Sequence, residues 1–204
     1  MTEKKWLEAA DLQAMTLFAC AKASDPKLHL AAVAFCRGFA ADLLPDERSR
    51  KAVDAAEEYA LGRRTAHQLM LARGPAEDAA RQLTGPQEYA AQAAAYAALY
   101  DGRYALTGAL TRTPPLPGEQ DALKERCRLL HHVLGNPFRP YPAPPSWPST
   151  VVQLAESLYD GQDCAFALHD ALLEAGHAEL AEHFWQETWH PKGCWAMDLI
   201  LGKS

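Results

Sequence analysis

Residues 24–44 read SDPKLHLAAVAFCRGFAADLL, and this stretch decides the fold class. It opens with Ser24 and Pro26, a combination typical of a helix N-cap followed by a first turn. Apolar residues then recur every three or four positions, which places them on one helical face. The spacing predicts a core helix that begins near Asp25 and runs towards Leu44, with an inward stripe of Leu28, Ala32, Phe35, Phe39 and Leu43.

Helical patterns continue on both sides of this stretch. Pro45 ends the first helix, and Asp46 is placed to cap a second one whose outer faces are charged. Alanine is abundant, and no segment alternates β-branched and polar residues as a strand would. We therefore predict an all-α protein, an irregular multi-helix bundle. Its later helices are expected over residues 86–100, 119–134, 149–159, 163–175, 177–187 and 191–201.

Two proline-rich segments interrupt the helical pattern, residues 113–118 and residues 137–148. A chain of 204 residues is long enough for one domain with a hydrophobic core, so we predict a single α-helical domain over residues 1–204. A subdivision near residues 113–118 is the alternative. The second segment predicts a stiff strap loop across the helical body, anchored by Trp147, or else a polyproline ligand for a partner's groove.

Charge and cysteine usage restrict the classes of partner and compartment. The formal net charge is −6 and neither terminus carries a basic arm, which argues against duplex nucleic acid and anionic lipid as partners. No apolar run is long enough to span a bilayer, and the N-terminus lacks the pattern of a signal peptide. Five widely spaced cysteines without a CxxC pair predict free thiols in a reducing cytoplasm.

The richest set of chemically active residues is C-terminal and comprises His183, His190, Cys194 and Asp198. Cys194 and Asp198 stand four positions apart on a predicted helix and so share a face, and His190 precedes that helix. Imidazole, thiolate and carboxylate all bind zinc and iron, so one hypothesis for this set is a metal site, with zinc as the candidate cofactor and iron as the other. The alternatives are a buried structural cysteine with hydrogen-bonded histidines, or a Cys194 nucleophile with a histidine base.

Two further histidines, His131 and His132, lie near the end of the helix predicted over 119–134. Adjacent residues on a helix point about 100° apart, so the two cannot easily ligate one metal ion. Near a helix C-terminus their partial positive charge complements the helix dipole. The sequence therefore predicts a dipole-stabilising role for this pair.

Several motifs resemble those of a family of paralogous bacterial proteins from large-genome bacteria. They are KASDPK at 22–27, GNPFRP at 135–140 and GCWAMDLILGK at 193–203, together with His183 and His190. The resemblance covers most of the length and implies no activity. This chain departs from the family pattern at Phe184, where a cysteine is usual, at Trp185, where an arginine is usual, and at His131-His132, where Arg-Asp is usual. The missing cysteine weakens any metal site that depends on it.

These observations support two functional hypotheses. The absence of catalytic motifs favours a non-enzymatic protein-interaction or regulatory domain with a protein partner. Tryptophan is enriched at binding hot spots, so its partner-binding residues are predicted to be Trp147, Trp185, Trp189 and Trp195. The alternative is a metal- or thiol-dependent enzyme centred on the C-terminal His/Cys/Asp residues. Nucleic-acid binding is a third idea, which would need the few arginines gathered on one face.

Overall fold

The computed structural model describes residues 1–112 and 119–203, and within these ranges the protein is all-α. It is 71% helical and has no strand among the described residues, which confirms the predicted fold class. The alternative boundary at residues 113–118 lies outside the described residues. None of the helices in the described ranges is long and apolar enough to cross a membrane.

The helices follow one another through short connections. They are α1 (Glu3–Leu7), α2 (Leu12–Lys22), α3 (Asp25–Phe39), α4 (Glu47–Ala60), α5 (Ala66–Gln82), α6 (Pro86–Ala97), α7 (Gly102–Thr111), α8 (Glu119–Leu134), α9 (Ser149–Tyr159), α10 (Ala165–Glu174), α11 (Ala178–Gln186) and α12 (Trp195–Leu201). The chain forms two compact units, Met1–His131 and His132–Ser204. The single domain remains a prediction.

The first unit is built around α3, which packs against α4, α6 and α7. Leu28, Ala32 and Phe35 of the predicted stripe are buried. The helix ends at Phe39, earlier than the spacing predicted, and a 3-10 turn over Ala41–Leu43 follows it. Ala40 adopts φ −114° and ψ 0° at this end. The last two members of the stripe, Phe39 and Leu43, are consequently only half-buried.

Side chains near the start of α3 form hydrogen bonds with the connection between α6 and α7. The buried imidazole of His29 lies 2.7 Å from the carbonyl oxygen of Leu99 and 3.0 Å from that of Asp25. The Asp25 carboxylate accepts a 2.7 Å hydrogen bond from the backbone N–H of Gly102. A Cβ at Gly102 would lie 2.6 Å from the Asp25 carbonyl oxygen, so glycine is what permits this close approach.

The second unit contains the end of α8, from His132, and helices α9 to α12. Helix α10 packs against α9 and α11, and α9 packs against α12. In the loop between α8 and α9, the Tyr141 hydroxyl lies 2.9 Å from His177 Nδ1, and the Trp147 ring lies 4.8 Å from the His177 ring. The proline-rich loop therefore contacts the turn between α10 and α11.

The last helix is shorter than predicted. It begins at Trp195 rather than at Pro191, and residues 187–194 form an irregular loop. Within this loop the backbone N–H of Cys194 donates a hydrogen bond to the Pro191 carbonyl, and Gly193 adopts a positive φ of 89°. Cys194 becomes the N-cap residue of α12, and His190 lies in the loop that leads to it.

Candidate metal centre

Four side chains of the second unit converge on one point. His132, His183, His190 and Cys194 each offer one ligand atom, and these four atoms lie within 4.8 Å of one another. His132 and Cys194 are buried, and His183 and His190 are half-buried. Three nitrogen donors and one sulfur donor thus share one small, largely buried space.

The sulfur of Cys194 is at the centre of the measured contacts. His183 Nε2 lies 3.1 Å from Cys194 Sγ, and His190 Nδ1 lies 4.0 Å from it. The His132 ring lies 4.9 Å from the His183 ring and 5.4 Å from the His190 ring, measured between centroids. The three imidazoles therefore surround a single thiol.

Three local structures supply the four donors. His132 lies on the last turn of α8, His183 lies on α11, and His190 and Cys194 belong to the loop before α12. The fold thus brings His132 next to residues that lie more than 50 positions later in the sequence. No single helix provides more than one donor.

The end of α8 is fixed next to the centre by a glycine. Gly135 adopts a φ of +66°, which suits the left-handed residue after a helix. A Cβ at this position would lie 3.0 Å from Trp195 Cγ, so the indole packs directly over the glycine. The Trp195 ring also contacts the His183 ring, with 5.3 Å between centroids. Trp195 therefore contacts both Gly135, just after α8, and His183 on α11.

A carboxylate lies behind one of the imidazoles. Glu187 Oε2 is 3.5 Å from His132 Nδ1, and Nε2 of the same ring is buried without a hydrogen-bond partner among the described residues. A proton on Nδ1, facing the carboxylate, leaves the lone pair of Nε2 directed inward. Carboxylate–histidine pairs of this kind orient the imidazole ligands of metal ions.

The local electrostatics favour an ionised thiol. Burial raises the pKa of Cys194, but the charge of His183 and the contacts with all three imidazoles outweigh it and hold this pKa well below its ordinary value. Burial lowers the pKa of His132, whereas its contacts with Cys194 and Glu187 raise it, and the net shift is upward. Zinc binds cysteine as the thiolate and histidine as the neutral imidazole, so binding of a metal ion here would release protons from the imidazoles.

Burial makes the other four cysteines harder to ionise than a solvent-exposed thiol. All five cysteines of the chain are free. Burial raises the pKa of Cys36 to about 12 and that of Cys127 to about 11, and it also raises the pKa values of Cys20 and Cys164. Cys194 alone among them has a lowered pKa, so its environment is chemically distinct.

The distances suit a tetrahedral ion. Zinc binds histidine nitrogen at about 2.0–2.1 Å and cysteine sulfur at about 2.3 Å, so its ligand atoms lie about 3.3–3.8 Å apart. His183 Nε2 and Cys194 Sγ are 3.1 Å apart, and all four ligand atoms lie within 4.8 Å of one another. Side-chain movements of about an ångström would bring the four atoms to the spacing of zinc ligands. The residues therefore fit zinc, or another metal that accepts nitrogen and sulfur ligands.

The structure brings together three of the four predicted ligands and replaces the fourth. His183, His190 and Cys194 are members of the group, but Asp198 is not. Asp198 is buried four residues beyond Cys194, and four residues of a helix advance about 6 Å along its axis. The fourth donor is His132, to which the sequence assigned a helix-dipole role.

The two adjacent histidines have separate surroundings, as their 100° offset predicted. His131 Nε2 donates a 2.6 Å hydrogen bond to the Trp6 carbonyl oxygen, whereas His132 joins the cluster. Only one of the pair is needed as a ligand. No signal in the sequence distinguished His132, because its contacts depend on helices that begin more than 40 residues later.

The four predicted partner-binding tryptophans differ in exposure. Trp185 is 60% exposed and Trp189 is 41% exposed, which leaves both available for contacts. Trp147 and Trp195 are half-buried, against His177 and against His183 with Gly135, respectively. Structural packing accounts for the last two, whereas nothing in the fold requires the exposure of the first two.

Comparisons of the chain with protein-family models, with curated proteins and with solved structures found no match.

Proposed function

We propose that this protein is a non-enzymatic interaction or regulatory protein whose second unit is held in shape by a zinc ion bound to His132, His183, His190 and Cys194. The observation that carries the proposal is the convergence of four donor atoms within 4.8 Å of one another. The ion joins the end of α8, the middle of α11 and the loop before α12. A metal bound in this way adds its binding free energy to the stability of the fold.

A structural role is supported by the number and burial of the ligands. Structural zinc sites use four protein ligands, whereas catalytic sites use three and leave one position for water or substrate. Here four side chains supply the set, and Cys194 is 0% exposed. A fully coordinated ion in this position has no free site for a substrate.

Zinc is favoured over other ions by the chemistry of the donors. Calcium and magnesium prefer oxygen ligands, and the group contains none. Imidazole nitrogen suits zinc, copper, iron and nickel, and thiolate sulfur favours zinc and copper(I). A set of three nitrogens and one sulfur matches the preferences of a four-coordinate zinc ion most closely.

A thiol-dependent enzyme is the second candidate, because His183 Nε2 lies 3.1 Å from Cys194 Sγ and the pKa of the thiol is lowered. Burial of the sulfur argues against it, because a nucleophile must be reached by its substrate. The two candidates differ in how a small alkylating reagent reacts. A nucleophilic Cys194 is modified rapidly with or without metal, whereas a zinc ligand becomes reactive only after chelation.

Zinc titration tests the proposal. Metal-free protein is expected to bind one zinc ion per chain in a competition assay with a chromophoric chelator. Cys194→Ser is expected to lower the affinity by about 100-fold or more, because it removes the thiolate ligand. Cys164→Ser is the matched control, since Cys164 lies in the same unit and outside the group. Equal zinc binding by all three proteins would contradict the proposal.

A further inference from the structure

We infer that the second unit carries a docking surface for a basic, partly apolar segment of another protein, centred on Phe166, His169 and Trp185. This inference deepens the interaction role proposed above and does not depend on the metal ion. It rests on an exposed aromatic cluster, on the charge around it and on the kinds of ligand that this charge repels.

The aromatic cluster spans two packed helices. Phe166 and His169 lie on α10 and Trp185 lies on α11. The ring centroids are 5.7 Å apart for Phe166 and Trp185, and 5.4 Å apart for His169 and Trp185. Phe166 is 61% exposed and Trp185 is 60% exposed. The two largest rings therefore contact each other yet leave most of their surface to solvent, as in a preformed apolar platform.

Acidic residues are the only full charges in this part of the chain. The sequence contains no lysine or arginine between Arg139 and Lys192, but it has eight acidic residues there: Glu156, Asp160, Asp163, Asp170, Glu174, Glu179, Glu182 and Glu187. Two of them adjoin the aromatic cluster directly. The exposed Asp170 lies 2.9 Å from His169 Nδ1, and the exposed Glu182 is one helical turn before Trp185.

This combination selects the chemistry of the occupant. Indole and phenyl faces attract lysine and arginine side chains through cation–π contacts, and the surrounding carboxylates strengthen that attraction. The same carboxylates repel phosphate groups, which excludes nucleic acid and anionic lipid. They also disfavour a symmetric pair of two copies of this surface, because a two-fold contact would place acid against acid. A basic segment with apolar side chains suits both the carboxylates and the exposed aromatic rings.

Peptide binding tests the inference. The probe is a fluorescently labelled amphipathic peptide whose sequence places lysine on one helical face and leucine on the other. In its counterpart, glutamate replaces every lysine. Fluorescence anisotropy with the 204-residue protein is expected to show binding of the lysine peptide, at least about tenfold tighter than that of the glutamate peptide. Raised salt concentration is expected to weaken the binding.

Variants locate the surface. Trp185→Ala and Phe166→Ala are each expected to weaken lysine-peptide binding by about tenfold, as for aromatic hot spots. Tyr104→Ala is the matched control, because Tyr104 is 67% exposed on α7 in the other unit, and it is expected to bind within about twofold of the wild type. Equal binding by all variants, or no preference for the lysine peptide, overturns the inference.

Two further measurements distinguish failure of the docking surface from failure of the metal centre, and binding of another protein from self-association. Zinc content of Trp185→Ala is expected to match the wild type, which shows that the variant is folded at the metal centre. If zinc binds and the peptide does not, only the docking surface is wrong; if the peptide binds without zinc uptake, only the metal is wrong. Analytical ultracentrifugation tests self-association: a dimer that Trp185→Ala converts to a monomer would overturn the inference in favour of a second copy.

Discussion

Replacement of His132 by alanine is expected to lower zinc affinity by about 100-fold or more. Removal of groups that merely orient a ligand costs about 10–100-fold in metal affinity, and His132 is a ligand itself. The variant would leave three donors around the ion and a gap at the end of α8. Competition with a chromophoric chelator, at fixed pH and salt, measures the change.

Variants at two other positions provide matched controls for the His132 prediction. His131→Ala removes the adjacent imidazole, which donates to the Trp6 carbonyl oxygen outside the centre. Asp198→Asn removes the carboxylate that the sequence predicted as a ligand. Both variants are expected to retain zinc affinity within about threefold of the wild type, because neither residue belongs to the converging group. Loss of zinc by Asp198→Asn with retention by His132→Ala would reverse the assignment.

Chelation of the ion is expected to destabilise the second unit strongly. When free zinc exceeds its dissociation constant by about 1,000-fold, binding stabilises the folded state by about 4 kcal/mol. For a unit of this size that corresponds to a fall in melting temperature of about 15–30 °C on removal of the metal. Tryptophan fluorescence follows this transition well, because four of the five tryptophans lie after residue 146.

The control for this measurement is the variant that lacks the thiol. Cys194→Ser is expected to melt at the temperature of the chelated wild type and to show no further change with chelator. A wild-type melting curve that is identical with and without chelator would mean that no ion contributes to the fold. Such a result would contradict the structural role proposed for a metal ion bound to these four side chains.

The helices were the most predictable part of this protein. The residues of α8 and α9 match the predicted ranges 119–134 and 149–159, because glycine, proline and serine mark their ends. The boundaries of α3 and α12 were predicted less well. Helix α3 ends at Phe39 although its apolar spacing continues, and α12 begins at Trp195 because the preceding residues turn around Gly193.

The metal centre could be predicted only where its donors are close in sequence. His183, His190 and Cys194 lie within twelve positions, and their residue types suggested a site. The fourth donor depends on a contact of His132 with His183, 51 positions later, which no local pattern encodes. The Phe184 ring packs on His190, with 5.0 Å between centroids, and His132 is the fourth side chain of the group.

Cobalt substitution tests the central claim most directly, because Co²⁺ occupies zinc sites and its absorption spectrum reports the number and type of ligands. We predict that the wild-type protein binds one Co²⁺ with the intense visible bands of a tetrahedral ion and a thiolate-to-cobalt charge-transfer band. We also predict that Cys194→Ser loses the charge-transfer band and that zinc displaces the cobalt. A spectrum of hexahydrated or octahedral cobalt, unchanged by Cys194→Ser, would contradict a metal centre built from His132, His183, His190 and Cys194.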